Sequence, residues 1–217
     1  MKRSLCLIAL CLLFNACALK HTPEHSSAAA YNVQLGLGYL AQNDRMRARE
    51  KLHRALMQDP DSIEPHLALA YYYETVGEQI KAQQTYQHAL EILPQSGQVN
   101  NNYGVFLCSQ GDYAQALVYF DRALADTYYP NSASAYENMA LCLAKMNHPE
   151  AEKYAHLALQ QDPKRNSLLL KLSFILAEQK QIARAQAYLD QYHRLSEPTP
   201  ASMSLARQLS SSQISKT

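Results

Sequence analysis

Three of the five cysteines and the eight histidines are the residues most able to do chemistry in this chain. Cys17 closes a short apolar run near the start, and Cys108 and Cys142 lie in the body. Thiols at such places can take an acyl chain, bind a metal or cross-link. His148 and His156 lie eight apart, with Cys142 upstream. That spacing fits no common zinc pattern, so these histidines are expected at the surface and no metal is expected. The sequence has no phosphate loop, no glycine-rich nucleotide fingerprint, no His-Glu-x-x-His and no Gly-x-Ser-x-Gly. Six glycines in 217 residues leave little for a phosphate cradle. No enzyme, cofactor or small-molecule substrate is therefore expected. Twenty Lys and Arg against nineteen Asp and Glu leave a net charge of +1, which argues against a nucleic-acid partner. The balance of 47% hydrophobic to 18% charged residues is that of a folded chain.

The surroundings of Cys17 suggest a lipid. Lys2 and Arg3 precede an apolar run from Leu5 to Phe14 that is too short to span a bilayer, the pattern of a secretory signal. The stretch Leu13-Phe14-Asn15-Ala16-Cys17 resembles a bacterial lipobox, although Phe14 and Asn15 depart from the usual residues. The reading is a signal peptide over 1–16, acylation such as palmitate on Cys17, and a lipidated tether over 17–28. Cys6 and Cys11 leave with the signal. Ordinary cleavage near Ala16 or Ala18 is the alternative. Ala18 in place of Asp points to the periplasmic face of the outer membrane.

The body is organised by a period of 34. Ala48, Ala82 and Ala116 are so spaced, as are Ala55, Ala89 and Ala123, and Leu56, Leu90 and Leu124. The period slips by one at Asp126–Asn131, then continues through Ala151, Ala158 and Ala185. Five copies fall at 29–61, 62–95, 96–130, 131–164 and 165–196. Ala70, Tyr73, Gly77, Ala82, Tyr86, Ala89 and Pro94, matched by Gly104, Leu107, Gly111, Ala116, Phe120 and Ala123, resemble the tetratricopeptide repeat. The fold class implied is all-α, a right-handed superhelix of about five helical hairpins. Gly77 and Gly111 supply left-handed turns, and Asn147 takes that place in the fourth copy. Ala201–Ser210 reads as a capping helix, so the repeat domain is 29–210 and 211–217 a flexible tail.

First helices of neighbouring copies lie side by side in such a stack. Cys108 and Cys142 fall on the first helices of copies three and four, two positions out of register. Two positions turn a helix by about 200°, so the thiols can face one another. A disulfide is expected, with two buried free thiols as the alternative.

Asn101-Asn102-Tyr103-Gly104-Val105-Phe106-Leu107-Cys108 and Ala135-Tyr136-Glu137-Asn138-Met139-Ala140-Leu141-Cys142, with the lipoprotein signal, resemble the PilF/PilW family of type IV pilus biogenesis lipoproteins. The resemblance implies a pilotin: a non-enzymatic lipoprotein that brings the pilus secretin to the outer membrane and helps it multimerise. It also implies that the two cysteines are paired. A concave groove on the first helices is expected to hold the secretin, lined by Val33, Leu37, Leu40 and Ala41, then Leu67, Tyr71 and Glu74, then Gln98, Asn101 and Val105. It would begin apolar and turn polar. The alternative is that Val33 and Leu37 pack under the tether. Tyr72 is expected between helices and Tyr73 in the core. Arg45, Arg47, Arg49, Lys51 and Arg54 read as a solvated face, with anionic lipid or an acidic partner as the alternative. The competing function is a lipoprotein that regulates peptidoglycan synthases or hydrolases.

Overall fold

The computed structural model describes residues 23–214, and Cys17 with the rest of the signal lies outside them. Eleven helices and no strand are found among the described residues. In chain order they are α1 (Pro23–Ala41), α2 (Arg45–Gln58), α3 (Ile63–Thr75), α4 (Gln79–Ile92), α5 (Gly97–Ser109), α6 (Tyr113–Ala125), α7 (Ser132–Lys145), α8 (Ala151–Gln161), α9 (Ser167–Glu178), α10 (Ile182–Leu195) and α11 (Pro200–Ile214). No described helix is long and apolar enough to cross a membrane. The chain divides into two compact units, residues 1–65 and 66–217.

In the smaller unit, α1 and α2 form a hairpin. Ala48, Leu52 and Ala55 are the buried stripe of α2, at helical spacing. Asn32 Nδ2 donates to Gln58 Oε1 at 2.8 Å and ties the two helices. Asp44 caps α2, accepting from Arg47 N at 3.0 Å. Helix α1 begins at Pro23, so the tether boundary read at residue 28 falls inside a helix.

The larger unit repeats the hairpin. Each inter-helix turn closes with one backbone bond: Glu78 N to Tyr73 O, Asp112 N to Leu107 O, His148 N to Leu143 O and Gln181 N to Leu176 O, as Asp44 N to Tyr39 O does in the smaller unit. Gly77 and Gly111 hold φ of 84° and 82° there, a conformation that costs glycine nothing. Asn43, Asn147 and Lys180 occupy the equivalent turns at φ 58°, 55° and 60°. Gly104 is needed for a second reason, because a Cβ would stand 2.8 Å from the Phe120 ring. The corresponding position in the fifth copy is Ser173, whose hydroxyl donates to Ala185 O at 2.7 Å and so is satisfied although buried.

The slip in the period has two parts. The turn-closing residues Leu107 and Leu143 are 36 apart, whereas Ala116 and Ala151 are 35 apart. The loop after α6 is thus two residues longer and the turn after α7 one shorter. Asp126 organises the long loop, accepting from Gly97 N at 2.7 Å and from Tyr128 N at 3.0 Å. Tyr129 packs on Gly97, where a Cβ would lie 2.5 Å from it.

Helix α11 closes the stack. Leu205 and Leu209 join Leu169, Leu176, Leu189 and Tyr192 in one buried cluster. Thr199 and Ser202 cap the helix reciprocally: Ser202 N donates to Thr199 Oγ1 at 3.2 Å and Thr199 N to Ser202 Oγ at 3.0 Å. The helix continues to Ile214, past the end expected at Ser210. Ser211 and Ser212 bond back to Gln208 O.

Candidate functional site

The larger unit presents its first helices, α5, α7 and α9, edge to edge. Their contacts follow from the two-residue offset. Cys108 lies one place after the turn-closing Leu107, and Cys142 one place before Leu143. Their side chains therefore face one another. The structure joins them in a disulfide with Cα atoms 6.0 Å apart, within the usual span of such a bridge. Asn138, about one turn before Cys142, donates its Nδ2 to Oδ1 of Asn101, about two turns before Cys108, at 3.0 Å. On the far side of α7, buried Glu137 accepts from Arg165 Nη1 at 2.9 Å and from Lys171 Nζ at 2.6 Å. Gln179 Nε2 reaches Ala144 O at 2.7 Å.

Two cavities open on this face. One, of about 380 Å³, is polar: Gln98, Asn101, Asn102, Asn138, Glu137 and Arg165 are among its walls. The other, of about 370 Å³, is apolar, with Val105, Leu141, Phe174 and Ile175 around the disulfide. Lys145 and Lys171 also line it. Val105 and Phe174 are each 37% exposed, large apolar groups that no element among the described residues covers. Asn138 lines both cavities.

The residues picked from sequence distribute unevenly. Tyr71 is 52% exposed. Val33 and Leu37 are half-buried. Leu40 and Leu67 are buried and offer no surface to a partner, which corrects their reading as groove residues. The physical reason is that a first helix is flanked on more than one side, so its buried arc is wider than the repeat position alone suggests. Glu74 is half-buried and engaged within the fold. Its carboxylate accepts from Tyr86 Oη at 3.4 Å and Ser109 Oγ at 3.5 Å. Burial raises its pKa above the ordinary carboxylate range, against the pull of those two hydrogen bonds. Burial, with the Glu74 charge, likewise pushes the Tyr86 phenol up.

The expected drift from apolar to polar along the first helices is also corrected. Gln98 and Asn101 do line a polar cavity, but Val105 belongs to the apolar one, continued by Leu141 and Phe174. Those last two were missed. Leu141 stands one place before Cys142, and Phe174 one place after buried Ser173. Tyr72 and Tyr73 are buried. Arg45, Arg47, Arg49 and Arg54 are exposed on α2, and Lys51 and Arg54 share Glu50. Arg47 lies 4.6 Å over the Tyr39 ring. His148 Nδ1 accepts from Glu150 N at 3.3 Å, and His156 is exposed.

Tandem helical hairpins with an open first-helix face define a tetratricopeptide repeat protein, a class built to hold other polypeptides. The tetratricopeptide repeat family model matches residues 95–164. The chain is 32% identical over 173 residues to the type IV pilus assembly protein PilF of Pseudomonas aeruginosa, covering 79% of this chain and 69% of that protein. It belongs to the PilF family. It is also 37% identical over 132 residues to an uncharacterized protein of Haemophilus influenzae, 60% of this chain and 74% of that one. Among solved structures, PilF of Pseudomonas aeruginosa matches with a TM-score of 0.69 and 30% identity, over 87% of this chain and 85% of that one. PilW, described as a widely conserved type IV pilus biogenesis factor, matches with a TM-score of 0.73 and 29% identity, over 85% and 86%.

Proposed function

We propose that this protein is a non-enzymatic scaffold of type IV pilus biogenesis. It acts as a pilotin: acylated at Cys17 and held to the periplasmic face of the outer membrane, it grips the pilus secretin and promotes its multimerisation. The observation that carries this reading is the open apolar cavity at Val105, Leu141 and Phe174 in a chain that matches PilF over most of its length. An uncovered apolar surface on a repeat protein is a place where another chain gains by burial. The chemistry of the face is that of adhesion: amides, aliphatic and aromatic groups, and cations.

Electrophoresis of membranes with and without the protein tests the reading. Heat-resistant secretin multimers should be present with it and give way to monomers without it. Multimers that form equally in both would remove the pilotin role. Replacing Cys17 by Ser should release the protein from the membrane fraction, and a variant that stays bound would remove the lipid anchor.

A further inference from the structure

Charge on the second helices is concentrated in the smaller unit. Helix α2 holds five Lys or Arg against one carboxylate, Glu50. Helices α4, α6 and α8 each hold one cation and one carboxylate, and α10 holds Arg184 and Arg194 against Asp190. The carboxylates at α2 are already engaged, Asp44 with Arg47, and Glu50 with Lys51 and Arg54. Arg45 and Arg49 are exposed, with no carboxylate paired to them among the described residues.

The same face is apolar along its centre. Met46 is 83% exposed and Met57 77%. They stand eleven residues apart, about three helical turns or about 16 Å, and so lie in one row. At about 100° per residue, that row is opposite the buried Ala48, Leu52 and Ala55. Arg49 flanks it on one side, and Arg47 and Arg54 on the other. Exposed methionines between arginines suit a helix lying in a membrane interface, where apolar groups enter below the headgroups and guanidinium groups meet phosphates.

The chain ahead of α1 decides which surface is near. Cys17 lies six residues before Pro23, and six residues span at most about 20 Å. The Asn32–Gln58 bond sets the Met57 end of α2 beside the early turns of α1, where that segment enters. Resting on the reading that Cys17 is acylated, we propose that the exposed face of α2 is a second membrane contact, and that it lies on a bilayer surface of anionic phospholipid. Phosphodiester groups pair with Arg45 and Arg49, while Met46 and Met57 reach the level of the first acyl carbons. Screening at cellular ionic strength leaves this face too weak to hold the chain alone. It orients the anchored hairpin, and the acyl chain supplies the hold.

Flotation with lipid vesicles at low salt tests this. The probe is the mature chain from residue 17 carrying Cys17→Ser, so that no acyl chain contributes. It should float with vesicles of phosphatidylcholine and phosphatidylglycerol and stay behind with phosphatidylcholine alone. Arg49→Glu should weaken binding about ten-fold, and Met46→Ser with Met57→Ser about three-fold. Arg207→Glu, an exposed charge on α11, should leave it unchanged. All four positions are exposed, and unchanged thermal melting would show that each variant folds. The proposal is overturned by equal binding to both vesicles or by binding to neither. Equal losses from Arg49→Glu and Arg207→Glu would also overturn it, since overall charge would then be the cause. Capture by polyglutamate without capture by vesicles would make an acidic polypeptide the occupant and overturn it as well. If the probe floats as described while the wild type carries no acyl group, the α2 contact stands and the anchor reading fails. If the wild type is acylated and membrane-bound while the probe ignores vesicles, the anchor stands and the α2 contact fails.

Discussion

The seam between α5 and α7 is closed covalently, by Cys108 and Cys142, with an amide pair beside it. The seam between α7 and α9 is closed electrostatically, by Glu137 between Arg165 and Lys171. A third seam, between α3 and α5, carries the half-buried Glu74 accepting from Ser109. The first-helix face is thus pinned hardest where its apolar cavity sits and more loosely to either side. A covalent pin does not respond to salt or pH, whereas ion pairs and a desolvated carboxyl do. The rigid part is the place where apolar side chains must be held exposed in water without collapsing onto one another.

Breaking the covalent seam should have the largest effect. Cys108→Ala with Cys142→Ala opens a bridge between residues 34 apart. The expected loss is about 3–4 kcal/mol, seen as a lower urea midpoint, and reductant should change the wild type but not the variant. Equal stability of the two proteins would mean that the seam is held by packing alone. Next comes the ionic seam. Glu137→Gln leaves Arg165 and Lys171 without their shared carboxylate and should cost about 1–2 kcal/mol. Since Lys171 is half-exposed, much of that difference should vanish in high salt. A cost unchanged by salt would mean that Glu137 acts by shape.

The third seam sharpens the comparison through pH. Burial raises the Glu74 carboxyl in the folded state, so folding takes up a proton there in the pH window above its ordinary value of 4.5. Stability from this group is greatest at the acid side of that window and is lost as pH climbs through the folded-state value. Glu74→Gln should flatten this slope in melts taken from about pH 4 to about pH 7, and an identical slope would assign it elsewhere. The smallest effect is expected at the turn that follows α9. Lys180→Gly relieves a side chain at φ 60° and should stabilise by about 0.5 kcal/mol, the left-handed penalty being partly offset by glycine's freedom when unfolded.

Most of the fold was legible because small residues recur where helices touch. Ala48, Ala82, Ala116, Ala151 and Ala185 are all buried, and their spacing alone gives the hairpins. The cysteine geometry followed from the two-residue offset between first helices. The turn at Lys180 was not legible, because nothing in the residue type of a lysine announces a left-handed backbone. The partner face was half legible. Tyr71 and Gln98 are exposed, whereas Leu40, Leu67 and Asn101 are buried, since position on a helix does not say how many neighbours flank it. Leu141 and Phe174 were hidden by an ordinary apolar composition: sequence shows that a residue is apolar and leaves open whether anything covers it.

The central claim is that another polypeptide docks on the first-helix face of the larger unit. A photo-crosslinking amino acid placed at position 174, on that face, and separately at position 118, an exposed site on second helix α6, tests it most directly. In pilus-forming cells, the account predicts an adduct containing the secretin from position 174 and none from position 118. Adducts of equal yield from both positions, or from position 118 alone, would contradict it.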